Sequence, residues 1–295
     1  MKKLSSIILM LACFTTASAQ QLHISSFYDL QGLLHNPSMA GTQPKNLVAA
    51  TYRSQWSGLS GAPKTQAVFA SVNLPKFGAG IGGYIFNDAT GPTSRRGINL
   101  DLAKHIKISE TAKFSLGIET KIQQYAIDRG KLSSALGSDP VLGSSENKMK
   151  FDAGFGIAYV SEKLEIGASV SQLVQSKLQF YSGNLNRSQE ARLYRHYFLH
   201  GNYKWNDGTT KVIPNFLLTY LPNAPMELQA GVNIEHNSVF WWGAGFRLKQ
   251  SFMLNAGVIL KNNVRIGYAY DAYQTPLSDF ESGSNAHEIG LRYEF

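Results

Sequence analysis

Apolar and polar residues alternate in steps of two along most of the chain. One run carries apolar side chains at Phe252, Leu254, Ala256, Val258 and Leu260, and the next carries them at Val264, Ile266, Tyr268 and Tyr270. The positions between them are mostly polar or small, including Asn255, Gly257, Arg265 and Gly267. This period predicts β-strands with one apolar and one polar face. Segments of roughly ten residues with this pattern are typical of the wall of a membrane β-barrel.

The pattern places fourteen strands, at 46–56, 64–74, 77–87, 96–108, 112–127, 151–161, 163–173, 192–205, 210–220, 226–236, 238–248, 251–261, 263–271 and 286–295. Tight connections alternate with long ones at 57–63, 88–95, 128–150, 174–191 and 272–285. The exception is the short connection at Lys249 and Gln250. Outer-membrane barrels have short periplasmic turns, long outer loops and an even strand count. The sequence therefore predicts an all-β fold, a transmembrane antiparallel β-barrel of about fourteen strands.

A soluble β-sandwich or barrel is the alternative, and it would bury its apolar faces in a core. Aromatic residues near predicted strand ends favour a membrane girdle instead, at Trp56, Trp205, Tyr220, Trp241, Trp242 and Tyr270. The last strand also resembles the C-terminal assembly signal of outer-membrane barrels, with apolar residues at Ile289, Leu291, Tyr293 and Phe295. We expect these four to face lipid, and Arg292 and Glu294 to face the lumen.

The composition adds an export signal. Only 16% of the 295 residues are charged, against about 25% in soluble domains. Two lysines, an apolar stretch at 4–14 and the motif Ala17-Ser18-Ala19 predict a signal peptide of residues 1–19, cleaved after Ala19. A lipoprotein site at Leu11-Ala12-Cys13 is the alternative. Cys13 is the only cysteine, so cleavage would leave no thiol for a disulfide or a metal.

The predicted mature chain has an N-terminal arm at residues 20–45 and a barrel at 46–295. The arm carries apolar side chains at Leu22, Ile24, Phe27, Tyr28, Leu30, Leu33 and Leu34. This is too much apolar surface to leave in water, so we expect a periplasmic or plugging arm that docks in or beneath the barrel mouth. The formal charge of +8 comes from lysines and arginines that form no run of more than two. Nucleic acid is therefore not an expected partner.

Three patterns resemble chemical sites. Gly78 to Gly83 fits G-x-G-x-x-G but lies within a strand, so it predicts small inward residues rather than a nucleotide site. His196 and His200 lie about 13 Å apart on a strand, too far to share a metal ion. Inward charges of both signs are expected to pair across strands, at Asp101, Glu119, Lys121, Glu165, Glu227, Glu235, Arg265, Glu288 and Arg292. We predict no catalytic residue, no cofactor and no metal, and hence no enzyme.

Four sequence blocks do not follow from barrel physics. They are Asn36-Pro37-Ser38-Met39-Ala40-Gly41, Tyr52-Arg53-Ser54-Gln55-Trp56, Gly61-Ala62-Pro63-Lys64-Thr65, and Asn87-Asp88 with Gly91-Pro92 in the following loop. In this order and spacing the chain resembles the PorP/SprF family of outer-membrane proteins of the type IX secretion system in Bacteroidetes. Ser38 stands where the family usually has Ala, a small-for-small change.

The resemblance implies a non-enzymatic protein of the outer membrane that supports export or surface attachment of secreted proteins, in some cases gliding adhesins. It implies as partners outer-membrane lipid, type IX secretion components, secreted proteins with type IX C-terminal signals, or a peptidoglycan-binding lipoprotein. From the residues themselves, Asn36-Pro37 and Gly41 favour a turn before the barrel.

Two roles for the blocks stay open, contact with a partner or only holding the barrel and arm together. The residues concerned are Asn36, Pro37, Gly41, Tyr52, Arg53, Gln55, Trp56, Gly61, Pro63, Thr65, Asn87, Asp88, Gly91 and Pro92. The alternative function is an outer-membrane diffusion channel or hydrophobic-solute transporter. A barrel enzyme using an inward acid such as Glu119 is a third class.

Overall fold

The computed structural model describes residues 25–136, 146–178, 192–222, 224–274 and 285–295. Its strands are β1 (Leu47–Gln55), β2 (Lys64–Leu74), β3 (Ala79–Thr90), β4 (Thr93–Lys107), β5 (Ala112–Ile127), β6 (Glu146–Ser161), β7 (Leu164–Ser171), β8 (His196–Tyr203), β9 (Trp205–Asn206), β10 (Thr210–Tyr220), β11 (Glu227–His236), β12 (Phe240–Arg247), β13 (Ser251–Ile259), β14 (Val264–Tyr273) and β15 (Ala286–Glu294). Helix α1 spans Arg129–Leu136, and short 3-10 helices span Gly32–Leu34, Pro37–Met39 and Pro75–Phe77. In these ranges no helix has the length and apolarity needed to cross a membrane.

The strands form one closed antiparallel barrel. The strands pair in chain order, with β8 next to β10, and β15 closes the ring against β1 with Glu294 opposite Leu47. The two-residue β9 is an extra strand on β10. The wall thus has fourteen strands, which confirms the predicted fold class. Closure leaves no sheet edge around the ring, as a spanning barrel requires.

The two ends of the barrel differ. At the short-turn end, the connections 75–78, 108–111, 162–163, 237–239 and 260–263 are brief, and residues 204–209 carry β9. Asn46 and Phe295 also meet there, with the Asn46 N–H donating to the Phe295 carbonyl at 3.1 Å. At the opposite, long-loop end lie residues 56–63 and the described parts of three longer connections, 128–136, 172–178 with 192–195, and 274 with 285. The predicted alternation of tight and long connections holds for most of the ring.

The predicted outer loop at 88–95 is wrong. β3 continues to Thr90 and β4 begins at Thr93, so Gly91 and Pro92 alone make the turn. Thr90 pairs with Thr93, and Asp88 pairs with Arg95 in the ladder. Asn87 and Asp88 therefore lie in a strand. The error arose because polar residues ended the apolar alternation, although the backbone pairing continues past the apolar belt.

The two faces of the wall follow the period of two. In β4, the side chains of Ile98, Leu100 and Leu102 are 55%, 62% and 52% exposed, whereas Asn99 and Asp101 are buried. In β15, Ile289, Leu291 and Tyr293 are exposed, as predicted, as is Phe295 directly after it, and Glu288 is buried. An apolar outer face and a polar interior are the reverse of a soluble sandwich.

The aromatic prediction holds in part. Trp205, Tyr220 and Trp242 are about half exposed and lie at strand ends. Trp241 was wrongly assigned to the girdle. It is buried in the lumen, because the strand alternation turns it inward, where its ring packs on Gly257 and Phe27.

Candidate functional site in the barrel lumen

The lumen is occupied by the chain's own N-terminal segment. Residues 25–42 form no strand and contain two short 3-10 helices. They lie against the inner wall, and most of their side chains are buried. Phe27 packs edge-on against Trp241 at 5.8 Å between ring centroids. Tyr28 joins Phe198, Leu217 and Met253 in a buried apolar cluster. The packed interior of the barrel is therefore built between arm and wall.

A group of four charges, here called the ion cluster, lies on the wall in the half of the lumen nearer the long-loop end. Arg53 of β1 meets Asp271 at 2.6 Å and Glu288 at 3.2 Å, and Arg247 meets Asp271 at 3.3 Å. All four side chains are 1% exposed or less. Charges this deeply buried must be paired, because an isolated one costs several kcal/mol.

The arm completes the hydrogen bonding of this cluster. Ser25 Oγ donates to Glu288 at 2.7 Å, and the Ser26 N–H donates to the other oxygen of the same carboxylate at 2.7 Å. Ser26 Oγ donates to Asp271 at 2.6 Å and accepts from Arg53 at 2.6 Å. The first described residues of the arm are thus bonded to charges on three different strands.

Further along, two side chains of the arm bond to amides of the wall. The Tyr28 hydroxyl donates to Asn215, and Asn233 donates to the Asp29 carboxylate. Burial raises the pKa of Asp29 to about 6 and raises the pKa of Tyr28 well above its ordinary value. Both groups lie on the arm, so the lumen disfavours their ionised forms at this point.

Asn36 organises the turn that the sequence predicts. Its side-chain oxygen accepts from the Ser38 N–H at 3.0 Å and from Ser38 Oγ at 2.7 Å, as an N-cap of the 3-10 helix that begins at Pro37. Its side-chain nitrogen donates to the Ile157 carbonyl at 3.0 Å and lies 3.0 Å from Nε2 of His200. A residue preferred at helix caps thus also bonds across to two strands.

Small residues on the wall let this turn approach closely. We call Gly80, Gly117 and Gly156 the glycine seat. A Cβ atom on these residues would lie 2.1 Å from the Ala40 carbonyl oxygen, 2.2 Å from the Ser38 nitrogen and 1.9 Å from the Asn36 side-chain oxygen, respectively. No side chain larger than the hydrogen of glycine fits at these positions while the arm lies where it does.

The glycine-rich run Gly78 to Gly83 belongs partly to this seat. Gly80 and Gly82 face the arm, as small inward residues were predicted to do, whereas a Cβ on Gly83 would meet Leu100 on the next strand. Gly41 has φ of +64° and lies against Gly80 and Val72. Its left-handed backbone is the conformation that glycine allows without strain.

The other predicted site residues gather at the long-loop end. Thr65 Oγ1 donates to Asp88 at 2.8 Å, and the Gly91 N–H donates to the Gly61 carbonyl at 2.8 Å. The Gln55 N–H donates to the Pro63 carbonyl at 3.0 Å. These bonds tie the turn after β1 to the turn after β3.

The side chain of Gln55 and four further predicted residues complete the set. Gln55 donates to the Tyr273 hydroxyl at 2.9 Å, and the Trp56 ring packs on that same tyrosine. Tyr52 and Asn87 lie elsewhere, since Tyr52 faces outward and Asn87 accepts a bond from Arg96. The Pro92 carbonyl accepts from Asp128. The structure therefore places most of the predicted set either against the arm or at the joined turns, and Tyr52 and Asn87 belong to neither group.

The sequence does not predict that the residues of the ion cluster lie together, or that those of the glycine seat do. Glu288 was expected to face inward, but nothing in the sequence pairs it with Arg53, Asp271 and Ser25, which lie far apart in the chain. His196 and His200 share the lumen face, as strand spacing predicts, and His200 contacts Asn36 rather than its neighbour histidine. Within the described ranges no group of three or more metal-ligating side chains occurs.

A cavity of about 660 Å³ lies between the arm and the wall at the short-turn end. Its charges are largely paired, with Lys211 and Arg265 on Glu235 at 2.5 and 3.0 Å and Arg292 on Glu294 at 2.8 Å. The arm thus fills the lumen unevenly and leaves a polar vestibule on one side.

Comparison with known proteins agrees with this architecture. The CymD monoaromatic hydrocarbon channel has a TM-score of 0.52 at 10% identity, over 93% of this chain and 94% of that chain. The toluene transporter TodX of P. putida has 0.48 at 10% identity, over 88% and 92%, and the NanC porin has 0.44 at 10% identity, over 85% and 100%. No curated protein sequence matches this chain. The family model for the type IX secretion system membrane protein PorP/SprF matches residues 16–293, and the chain therefore belongs to the PorP/SprF family.

Proposed function

We propose that this protein is a plugged, non-enzymatic barrel of the outer membrane that supports export or surface attachment of proteins by the type IX secretion machinery. The observation that carries the proposal is the arm, which is bonded to three of the four buried charges at one point and packs against three glycines at another. A lumen occupied in this way suits a structural and partner-binding element better than an open pore.

The location follows from the exposed apolar belt and from the resemblance of residues 1–19 to a signal peptide cleaved after Ala19. In this orientation the short-turn end faces the periplasm and the long-loop end faces outward. The partners are a secreted protein with a type IX C-terminal signal, a component of the machine or a peptidoglycan-binding lipoprotein. The cluster of Thr65, Asp88, Gly61 and Gly91 at the long-loop end is the candidate contact on the outer side.

The test combines conductance with retention of a partner. Purified full-length protein in planar bilayers is expected to give no steady current, whereas deletion of residues 20–35 is expected to give one, because it removes the bonds to Glu288, Asp271 and Asn215. A secreted domain with a type IX C-terminal signal should be retained on the immobilised full-length barrel. A secreted domain without that signal is the control.

Steady current from the full-length protein, with no retention of the secreted domain, would instead support the diffusion channel. Current that is unchanged by the deletion would contradict plugging by the arm. Hydrolysis of lipid or peptide that disappears in Glu119→Gln would support a barrel enzyme and overturn the non-enzymatic role.

A further inference from the structure

The turn between β2 and β3 presents an apolar side chain to the surroundings at the short-turn end. Phe77 is 71% exposed, the highest value among the large apolar side chains of the described part of the chain. The turn is held in place by Gly78, which has φ of +53° and whose carbonyl accepts from the His105 N–H at 2.8 Å. A fixed turn with an outward phenyl ring is typical of an interfacial anchor.

Two lysines flank this ring. Lys76 precedes it in the turn, and Lys104 Nζ donates to the Phe77 carbonyl at 2.7 Å. Both side chains are exposed, and within the described residues neither forms an ion pair. A third lysine nearby, Lys107, is already paired with Glu110 at 2.7 Å. The turn and the adjoining β4 therefore present two cations that no acidic side chain of the described residues neutralises.

The position of Lys104 decides what kind of partner can reach it. Lys104 lies on the outward face of β4 between Leu102 and Ile106, which are 52% and 48% exposed. This face of the barrel is the one that contacts acyl chains. A lysine at its edge extends its ammonium to the headgroup layer. A lipid phosphate can meet it there, whereas a water-soluble acidic protein would have to displace the bilayer.

The rest of the short-turn end also carries a net positive charge on its exposed side chains. Its exposed lysines outnumber its exposed carboxylate side chains by six to three, with Lys45, Lys76, Lys104, Lys107, Lys163 and Lys261 against Glu110, Glu162 and Asp207. A basic rim beside an apolar belt is complementary to an anionic leaflet.

We propose that the turn around Phe77, with Lys76 and Lys104, is a binding site for the phosphates of acidic phospholipids. The phenyl ring lies at the acyl boundary, and the two ammonium groups lie on the headgroup phosphates. The site would enrich acidic phospholipid around this part of the barrel. It does not depend on the state of the lumen or on a secretion partner.

The experiment is native mass spectrometry of the full-length barrel released from vesicles that contain equal amounts of phosphatidylglycerol and phosphatidylcholine. Wild type is expected to retain more phosphatidylglycerol. Lys76→Gln and Lys104→Gln together should reduce that preference by about fivefold for each charge removed. Lys64→Gln with Lys249→Gln is the matched control, because both lysines are exposed at the long-loop end, and it should leave the preference unchanged.

Equal retention of the two lipids by wild type would overturn the proposal, as would an equal loss in both pairs of variants. A second measurement uses a soluble acidic peptide, poly-glutamate, in place of lipid. Binding of the peptide at Lys76 and Lys104 without preference for phosphatidylglycerol would identify the surface as a protein interface instead. Heat-modifiable gel mobility shows that each variant is folded before it is compared.

Discussion

The arm is held at two places that use opposite physics. At the ion cluster, Ser25 and Ser26 add hydrogen bonds to three of the four charges that are already buried in the wall. At the glycine seat, the turn at Asn36 rests on backbone that has no side chain to offer. The ion cluster holds the arm through hydrogen bonds to charged side chains. The glycine seat holds it through a close backbone approach that is possible only because these residues have no Cβ atom.

This difference predicts how each contact fails. Removing one partner from a buried ion pair leaves a charge without compensation, so the ion cluster is sensitive to truncation. A seat made of close backbone approach is instead sensitive to addition, since an added methyl must displace packed atoms. The four predictions below use these opposite sensitivities, from the largest expected effect to the smallest.

Arg53→Met is expected to have the largest effect. It removes the ion-pair partner of Glu288, 3.2 Å from the guanidinium, and the nearer partner of Asp271, at 2.6 Å, which keeps only Arg247 at 3.3 Å. Leaving buried charges unpaired costs about 3–5 kcal/mol. The free energy of unfolding in urea, measured in lipid micelles, should fall by this amount. Protease cleavage within residues 25–45 should increase as well, because Arg53 also donates to Ser26.

The matched control is Arg95→Met. Arg95 also lies in the wall, but it is partly exposed, meets Asp88 only at 3.8 Å and stacks over the Phe86 ring at 5.1 Å. Its loss should cost about 1–2 kcal/mol, less than that of Arg53. Equal losses in the two variants would show that the ion cluster is no more important to the fold than a partly solvated pair.

Ser26→Ala is expected to come next. The change deletes a hydroxyl that donates to Asp271 and accepts from Arg53, each at 2.6 Å. Hydrogen bonds to charged groups contribute about 1.5–3 kcal/mol. Here the wall charges stay paired with each other, so the loss should appear mainly as earlier cleavage of the arm. An unchanged cleavage rate would mean that the cluster does not hold the arm.

The strands and their faces could be predicted from the sequence because both depend on a local period of two. The inward direction of Glu288 and the outward direction of Leu291 follow from neighbouring residues alone. The turn at Asn36-Pro37 is local as well, since Asn caps and Pro begins the 3-10 helix. These features needed no knowledge of which strands pair.

The contacts between arm and wall could not be predicted, because they depend on register and curvature. Ser25 and Glu288 are 263 positions apart in the chain. Asn36 contacts Gly156 only because the register of β6 in the wall places Gly156 at the same level of the lumen as Asn36. The same limit explains Trp241. Strand alternation turns its side chain inward, but the groups that it packs on, Gly257 and Phe27, depend on the pairing with β13 and on the docking of the arm.

Gly156→Ala tests the seat by addition. The new methyl would lie 1.9 Å from the Asn36 side-chain oxygen, and that oxygen is held by two bonds from Ser38. Overpacking of a fixed contact costs about 1–3 kcal/mol. The unfolding free energy should fall, and cleavage should begin near Asn36 rather than near Ser25. Gly32→Ala is the control, because its methyl meets Met39 at an ordinary 3.4 Å.

Gly82→Ala should have the smallest effect, although it lies in the same wall. Its methyl would come within 2.8 Å of a terminal methyl of Leu33 and 3.1 Å of the Ala40 side chain. A leucine can shift its tip, unlike the bonded Asn36. Alanine also loses less chain entropy than glycine in a strand, a gain of about 0.5–1 kcal/mol that offsets the displacement. The net change in unfolding free energy should stay within about 1 kcal/mol, with the arm still protected from protease. A loss as large as that of Gly156→Ala would mean that the arm is equally rigid at Leu33 and at Asn36. The hydrogen bonds of Asn36 would then not explain why an added methyl is poorly tolerated at Gly156.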